Sequence, residues 1–377
     1  MSSGLHLITG VSTSIAAFVG LTKKKQNLEP VLLRSWKQYV DTFGFDGTEG
    51  FLPNAVYGFF ANGGGSCYVA SVAENTSAAV KGSATTRTGL EGLAAEPTVS
   101  IVAAPDLAAA TSTERKNGQE AVVKHCADMG NRVAILDLPV GTKPDDAVTH
   151  CTWSLDEKQK TYATVYYPAL TTLPPRPPGG PAPKPKPVPP SGHVAGVWAR
   201  VDAERGVHKA PANEAVLGID APAFRVTDGS QSDLNAKGVN CIRTFPGRGV
   251  LVWGARTRSI GTEWTYVNVR RLVSFLEESI RLGTLWAVFE PNDERLWSSI
   301  RRNVVAFLTD QWRLGALQGR TADQAFSVVC DETNNPLRAR LDGQAYCDIA
   351  IAPVRPAEFV RFRVSQITTS ATGQNSG

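Results

Sequence analysis

The segment of residues 238–280, GVNCIRTFPGRGVLVWGARTRSIGTEWTYVNVRRLVSFLEESI, constrains the fold more than any other stretch of this chain. Two short apolar runs, at residues 239–245 and 250–253, are interrupted by Pro and Gly, which predicts two strands joined by a tight turn. Apolar residues then recur at the spacing of one helical face, which predicts an amphipathic helix that ends at Gly283. The stripe consists of Val269, Leu272, Val273, Leu276 and Ile280.

Arginine is concentrated around this predicted core. The residues concerned are Arg243, Arg248, Arg256, Arg258, Arg270 and Arg271. The formal net charge of the whole chain is only +4, so bulk attraction does not explain the clustering. The planar guanidinium favours bidentate contacts with carboxylates or phosphates. Contacts between protein subunits and binding of nucleic acid both fit this pattern.

The chain is longer than the usual size of one hydrophobic core, so two domains are expected from its 377 residues. We expect an N-terminal arm or a first strand at residues 1–20 and an N-terminal α/β domain at 21–235, with a Pro-rich surface loop at 173–190. A C-terminal α/β domain is expected at 236–355, and a C-terminal arm with a disordered tail at 356–377. The overall class is therefore α/β, or α+β when both domains are counted together.

The pattern along the chain supports this division. Ser35 followed by Gln38 predicts a capped helix start, and the β-α-β rhythm of residues 98–138 predicts a partly parallel sheet. Further on, we expect a strand at residues 285–289, and then a long helix capped by Asn292. Additional strands are expected at 326–330, at 346–351 and, with alternating apolar residues, at 359–366.

The motifs that could carry chemistry are weak. The six cysteines include no CxxC pair, and the glycine-rich NGGGSC at residues 62–67 lacks the Lys-Ser/Thr ending of a phosphate loop. His125 with Cys126 and His150 with Cys151 are only neighbours in sequence, which is no evidence of a catalytic dyad. We therefore expect neither enzymatic activity nor a cofactor or metal. An α/β hydrolase is the last-ranked alternative, because no Ser-His-Asp set is legible.

Several long motifs in a fixed order carry a resemblance. They are PPSGHVAGVWARVDAERGVHKAPAN, FPGRG, VWGARTRS, YVNVRRLVSFLEESI, FEPND and PAEFVRFRVSQ. The chain resembles the tail sheath proteins of contractile phage tails and related contractile injection systems. The resemblance extends, with gaps, from Gly10 to Gln366, and it is dense from Ser191 onward. Several ordered motifs are far more specific than a single short pattern.

The resemblance implies a structural subunit rather than an enzyme. Many copies would polymerise around an inner tube protein, in contact with baseplate and terminator or cap proteins, and would shorten to drive the tube into a target membrane. Assembly would take place in the cytoplasm of a bacterial cell, as part of a phage tail or a tail-like particle. The only apolar run near the N-terminus, at residues 15–19, is too short to span a bilayer, so we expect no membrane insertion. An arginine-rich nucleic-acid-binding protein is the alternative; a sheath would contact no nucleic acid directly.

The resemblance also implies which residues make contacts between subunits. Family members donate terminal strands to neighbouring subunits, and the donor here would comprise Phe359, Val360, Arg361, Phe362, Arg363 and Val364. An ordinary last strand within its own domain is the simpler reading. This chain has only MSSGLHLITG before the VSTSIAAFVG segment, so its N-terminal arm is short. Strand exchange by that arm is less expected than by the C-terminal one.

Contact with the inner tube would come from basic residues of the C-terminal domain. The candidates are Arg295, Arg301 and Arg302 on the long helix, with Arg270 and Arg271 next. The simpler reading is that these arginines are solvated or pair with carboxylates of the same subunit, in contacts worth about 0–1 kcal/mol each.

Overall fold

The computed structural model describes residues 6–24, 29–47, 49–177, 179–180 and 184–358. The strands are β1 (Ala16–Leu21), β2 (Val31–Leu33), β3 (Cys67–Val72), β4 (Ile101–Ala103), β5 (Val133–Asp137), β6 (Ala163–Tyr167), β7 (Leu170–Thr172), β8 (Lys186–Val188), β9 (Glu214–Ala215), β10 (Ala221–Pro222), β11 (Asn240–Phe245), β12 (Gly249–Trp253), β13 (Phe326–Val329) and β14 (Asp348–Ile351). The helices are α1 (Trp36–Phe43), α2 (Leu52–Ala61), α3 (Ser77–Lys81), α4 (Gly89–Leu93), α5 (Ser112–Met129), α6 (Glu157–Thr161), α7 (Ser191–Arg205), α8 (Asp228–Ala236), α9 (Val267–Gly283), α10 (Glu294–Arg313), α11 (Ala322–Ala325) and α12 (Leu337–Leu341).

Nine strands form one large sheet in the order β2-β3-β1-β4-β5-β6-β11-β12-β9. The six strands from β3 to β11 pair in parallel, and antiparallel pairs close both edges. Parallel strands need crossover connections, which helices such as α5 and α7 supply. The partly parallel sheet expected from the β-α-β rhythm is confirmed.

β1 lies near the middle of this sheet, between β3 and β4, and the residues Ala16–Val19 within it are fully buried. A strand that is buried on both faces reads as a continuous apolar run, which is what AAFVGL provides. Of the two alternatives for residues 1–20, an arm or a first strand, the strand is present at Ala16–Leu21. Residues from 16 onward belong to the folded body.

β11 and β12 form the antiparallel hairpin predicted from residues 239–253, with Phe245 paired to Gly249 across the turn. β11 also pairs in parallel with β6, so the hairpin extends the large sheet. These strands pack in the first core, although the domain boundary was expected before them, at residue 236. A second core begins with α9.

The second core is made mainly by α9 and α10, with β13 and β14 packed against them. Its buried members include Leu272 and Leu276, which belong to the apolar stripe predicted for α9, and Ile300, Val304 and Leu308 of α10. α9 thus follows the expected periodicity.

Two local predictions around α10 are wrong. Residues 285–289 form a short 3-10 turn at Leu285–Ala287 followed by a loop, in which Phe289 is exposed with a φ of 69°. The cap of α10 is Asp293, whose Oδ1 accepts from the amides of Arg295 and Leu296 at 3.0 Å. Asn292 instead accepts from Trp297 Nε1 at 2.8 Å.

Candidate interaction surfaces

Most of the arginines in the segment 238–280 have partners inside the subunit. Arg270 and Arg271 are buried, with exposed side-chain fractions of 6% and 3%, and pair with Glu277 and Asp202. Little of either guanidinium is therefore available to a tube, and the contact of these two arginines with it stays a prediction.

Two other arginines of the segment are also mostly buried. Arg243 pairs with Asp228 and Arg256 pairs with Glu358. Intrasubunit pairing therefore accounts for much of the arginine density, which removes the main motivation for the nucleic-acid alternative.

The arginines of α10 differ, because they project into solvent. Arg295, Arg301 and Arg302 are all exposed. Arg301 Nη1 lies 3.9 Å from Asp331 Oδ2, a loose and exposed ion pair. Among the described residues, no carboxylate oxygen lies within 4.0 Å of a guanidinium nitrogen of Arg295 or Arg302.

The helix also aligns several of these charges. Arg295 and Arg302 are seven residues apart and project in nearly the same direction from α10. Arg313, eighteen residues beyond Arg295, falls on the same line and is exposed next to Asp310. Our sequence analysis missed Arg313, although its spacing of eighteen residues from Arg295 indicates that both lie on the same face of the helix. The result is a basic stripe, defined here as Arg295, Arg302 and Arg313.

β13 and β14 form a sheet of only two strands, with Phe326 opposite Ile351 and Val329 opposite Asp348. In the described part of the chain no third strand pairs with either of them. A two-stranded sheet is marginal by itself, and its outer edges carry unpaired amide and carbonyl groups. Val329 and Ile349 are each more than a third exposed. This sheet can therefore accept additional strands.

The described chain ends at Glu358, which is held firmly. Arg256 Nε donates to both carboxylate oxygens of Glu358 at 3.0 and 3.1 Å, and Asn235 Nδ2 donates at 2.7 Å. Tyr266 adds a hydrogen bond from its hydroxyl at 3.2 Å. Burial alone would raise the pKa of Glu358, but the hydrogen bonds from Arg256 and Asn235 hold it below its usual value. The carboxylate is therefore charged at neutral pH.

Glu358 is a functional candidate that sequence reasoning missed, since its partners lie up to 123 residues away. It directly precedes the segment expected to form the donated strand. The residues Phe359, Val360, Arg361, Phe362, Arg363 and Val364 lie outside the described part of the chain. Glu358 thus fixes the point from which that segment departs.

The two His-Cys neighbours have no features of a reactive thiol. Burial raises the pKa of Cys126 to about 12 and that of Cys151 to about 11, so both thiols are protonated at neutral pH. Burial and the charge of Arg132 lower the pKa of His125 to about 3. Within the described residues, no group of three or more His, Cys, Asp or Glu side chains is arranged to hold a metal ion. The described helices include none that is long and apolar enough to cross a membrane.

Solved structures with the same architecture come from contractile particles. The anti-feeding prophage baseplate in the contracted state matches with a TM-score of 0.81 and 28% identity, covering 95% of this chain and 94% of that one. The helical sheath of the anti-feeding prophage in the contracted state matches with a TM-score of 0.79 and 28% identity, covering 97% of each chain. The mixed α/β fold is therefore that of a sheath protein.

Curated relatives point the same way over shorter alignments. The tail sheath protein of Vibrio phage KVP40 is 28% identical over 188 residues, which are 49% of this chain and 27% of the relative. The putative prophage major tail sheath protein of Pseudomonas aeruginosa is 29% identical over 183 residues, which are 47% of this chain and 45% of the relative. The chain thus matches less than half the length of these relatives.

Family models match most of the chain. The phage tail sheath protein central domain matches residues 81–258, and the phage tail sheath C-terminal domain matches residues 260–367. The junction between the two models falls just after the β11–β12 hairpin, where the chain leaves the large sheet. Because the two matches follow each other over more than half of its length, the chain belongs to the phage tail sheath family.

Proposed function

We propose that this protein is the structural subunit of a contractile sheath, which polymerises around an inner tube and shortens to drive the tube through a target membrane. Family membership supports the structural role. The contracted state named for the similar anti-feeding prophage assemblies supports the shortening. The role requires no catalysis by the chain.

The observation that carries the proposal is the two-stranded sheet of β13 and β14. Its free backbone groups need partners, and a strand added from a neighbouring subunit supplies them. The proposed donor is the amphipathic segment of Phe359, Val360, Arg361, Phe362, Arg363 and Val364. Burying its apolar side chains contributes about 2 kcal/mol each before entropy is counted. Repeated around a lattice, such a contact connects the subunits while they move.

We further propose that the basic stripe of α10, together with Arg301, contacts acidic groups on the inner tube. Two arginines of the stripe have no carboxylate partner among the described residues and are therefore available to an outside partner. Charges at the rim of an interface steer association and fix its register more than they add affinity. A metastable extended sheath benefits from contacts of this kind, because they can be released without a large penalty.

The remaining partners follow from the same proposal. Baseplate and cap proteins would bind the two ends of the polymer, and the baseplate named for a similar solved structure supports the first of these. Assembly would occur in the cytoplasm of a bacterial cell, as part of a phage tail or a tail-like particle. Neither nucleic acid nor a membrane would be contacted directly.

Electron microscopy of the assembled protein tests the proposal. We expect hollow tubes that occur in a long, narrow form and a short, wide form. Deletion of residues 359–377 should leave a subunit with an unchanged circular dichroism spectrum that no longer polymerises. A chain that remains monomeric with its tube protein present would refute the sheath function, whereas normal tubes from the deletion variant would refute only strand donation.

A further inference from the structure

Two cysteines face each other at the open end of the β13–β14 sheet. The last paired residues are Val329 and Asp348. One position further out, Cys330 directly follows β13 and Cys347 directly precedes β14, so the same register places them opposite each other. Both belong to the second core, and both are free thiols in the structure.

The alternation of pair types between β13 and β14 brings Cys330 and Cys347 close together. Ala352 N donates to Ala325 O at 2.8 Å, which makes 325 and 352 a hydrogen-bonded pair. Hydrogen-bonded and non-hydrogen-bonded pairs alternate in an antiparallel ladder, so Cys330 and Cys347 occupy a non-hydrogen-bonded position. The Cα atoms of such pairs are about 4.5 Å apart. A disulfide requires a Cα separation of roughly 4.4–6.8 Å, which this position satisfies.

The two thiols differ in environment. Cys330 is buried, with 2% of its surface exposed, whereas Cys347 is only half-buried. The interaction between the two thiols raises the pKa of Cys330 and lowers the pKa of Cys347. Cys347 is thus the more accessible and more acidic thiol. It is suited to react first, and Cys330 is placed to attack it next.

We propose that Cys330 and Cys347 are a redox-active pair that closes an intramolecular disulfide when the protein meets a small-molecule disulfide oxidant. The Cys347 thiolate attacks one sulfur of the oxidant, such as oxidised glutathione, and expels one glutathione thiolate. Cys330 then loses its proton and attacks Cys347 Sγ, which expels the second glutathione. Two protein thiols are oxidised to one disulfide, and one oxidant molecule is reduced to two thiols.

The cross-link would close the segment of residues 331–346 covalently. That segment is now held at its base by polar contacts, in which Asn335 Nδ2 donates to Tyr346 O at 2.9 Å and Asn335 Oδ1 accepts from Tyr346 N at 2.6 Å. A disulfide next to these contacts restricts the unfolded chain and resists opening of the sheet end. The inference does not depend on the sheath function, because it rests on the register and burial of one subunit.

Mass spectrometry of the intact full-length chain tests the proposal directly. After incubation with oxidised glutathione, the protein should lose two hydrogen atoms in mass, and a non-reducing digest should yield one linked peptide pair that contains Cys330 and Cys347. Its thermal unfolding midpoint should rise and return to the starting value after reduction. A chain that keeps six free thiols, or that links other cysteines, would overturn the proposal.

Variants identify the order of attack and need not alter the fold. Cys347→Ser changes a half-buried residue and should abolish the disulfide without forming a mixed disulfide at Cys330. Cys330→Ala should instead stop at a stable glutathione adduct on Cys347. Cys151→Ser is the matched control, because Cys151 is also half-buried, and it should leave the linked peptide pair unchanged. A linked pair that persists in Cys347→Ser would contradict the assignment.

Discussion

Arg271 of α9 is joined to Asp202 of α7 by two hydrogen bonds, one of which spans 2.9 Å from Nη1 to Oδ1, and both side chains are 97% buried. Thr13 completes the site, because its carbonyl oxygen accepts from Arg271 at 2.8 Å and its hydroxyl donates to Asp202 at 2.7 Å. The guanidinium also lies 4.7 Å from the ring centre of Trp198. One ion pair thus joins the N-terminal segment, the large-sheet domain and the first helix of the second core.

Replacement of Asp202 by Asn should destabilise the subunit strongly. The change leaves the Arg271 charge buried without a counter-charge, which typically costs about 3–5 kcal/mol. Urea unfolding followed by circular dichroism measures the loss. Asp41→Asn is the control, because the pair of Asp41 with Lys37 is exposed and its loss should cost less than about 1 kcal/mol. Equal losses of unfolding free energy in Asp202→Asn and Asp41→Asn would show that the buried pair of Arg271 with Asp202 contributes no more than an exposed one.

Sequence periodicity predicted those elements whose apolar pattern is local. The stripe of α9, the β11–β12 hairpin and the parallel sheet all follow from residues that are close together in the chain. The partners of Arg271 could not be predicted in this way, because Asp202 is 69 residues distant. The short run of residues 285–289 was ambiguous, because periodicity does not identify the structure of a run of only five apolar residues. The position of β1 depends on parallel pairing with distant strands.

Gly196→Ala should also destabilise the protein, through packing rather than charge. Gly196 lies where α7 crosses α2, and a Cβ there would collide with the carbonyl oxygen of Phe59. Because both backbones are buried, relief requires the helices to separate, and overpacking of this kind costs about 1–3 kcal/mol. The same denaturation experiment measures it.

Gly229→Ala provides the opposite control. Gly229 lies in α8, and a Cβ there meets nothing within 4 Å. Alanine reduces the freedom of the unfolded chain at such a site, so stability should rise by about 0.5 kcal/mol. Unchanged stability in Gly196→Ala would show that the α2–α7 crossing is looser than described, and a loss of stability in Gly229→Ala would contradict the open space beside that residue of α8.

His193 should make stability depend on pH in the acid range. The side chain is buried, and desolvation lowers its pKa from 6.5 to about 4. The unfolded chain gains a proton below pH 6.5 and the folded chain does not, so the stabilising contribution is complete above pH 6.5 and is lost as the pH falls towards 4. A shift of this size corresponds to about 3 kcal/mol.

Unfolding free energies of the wild type and of His193→Leu, measured between pH 4 and pH 7.5, isolate this contribution. Other titrating groups contribute equally to the pH dependence of both proteins. One of them is Asp137, because its burial raises its pKa to about 7. The difference between the two curves should therefore be constant above pH 6.5 and should change as the pH falls from 6.5 towards 4, where the wild type loses the contribution of His193. Parallel curves throughout the range would exclude the assignment.

Reversal of charge on the basic stripe should weaken binding to the tube without affecting the fold. Arg295→Glu combined with Arg302→Glu removes two exposed charges that have no carboxylate partner among the described residues, so no ion pair described within the subunit is lost. Co-sedimentation with tube protein should fall and should become less sensitive to salt. Lys116→Glu with Lys124→Glu on α5 is a control with the same change in charge. Equal losses from both double variants would indicate a general charge effect.

Glu358 should determine how efficiently the C-terminal segment reaches a neighbouring subunit. Its carboxylate accepts hydrogen bonds from Arg256, Asn235 and Tyr266, so Glu358→Gln removes the charge that neutralises Arg256 and leaves that largely buried guanidinium without a counter-charge. The released segment should be cleaved faster by trypsin, and polymerisation should require a higher protein concentration. Exchange of the two charges in Arg256→Glu with Glu358→Arg should restore part of the loss, because the pair is re-formed with opposite polarity. Wild-type cleavage rates and assembly in Glu358→Gln would mean that the direction of the segment is set by its own contacts with the neighbour and not by this ion pair.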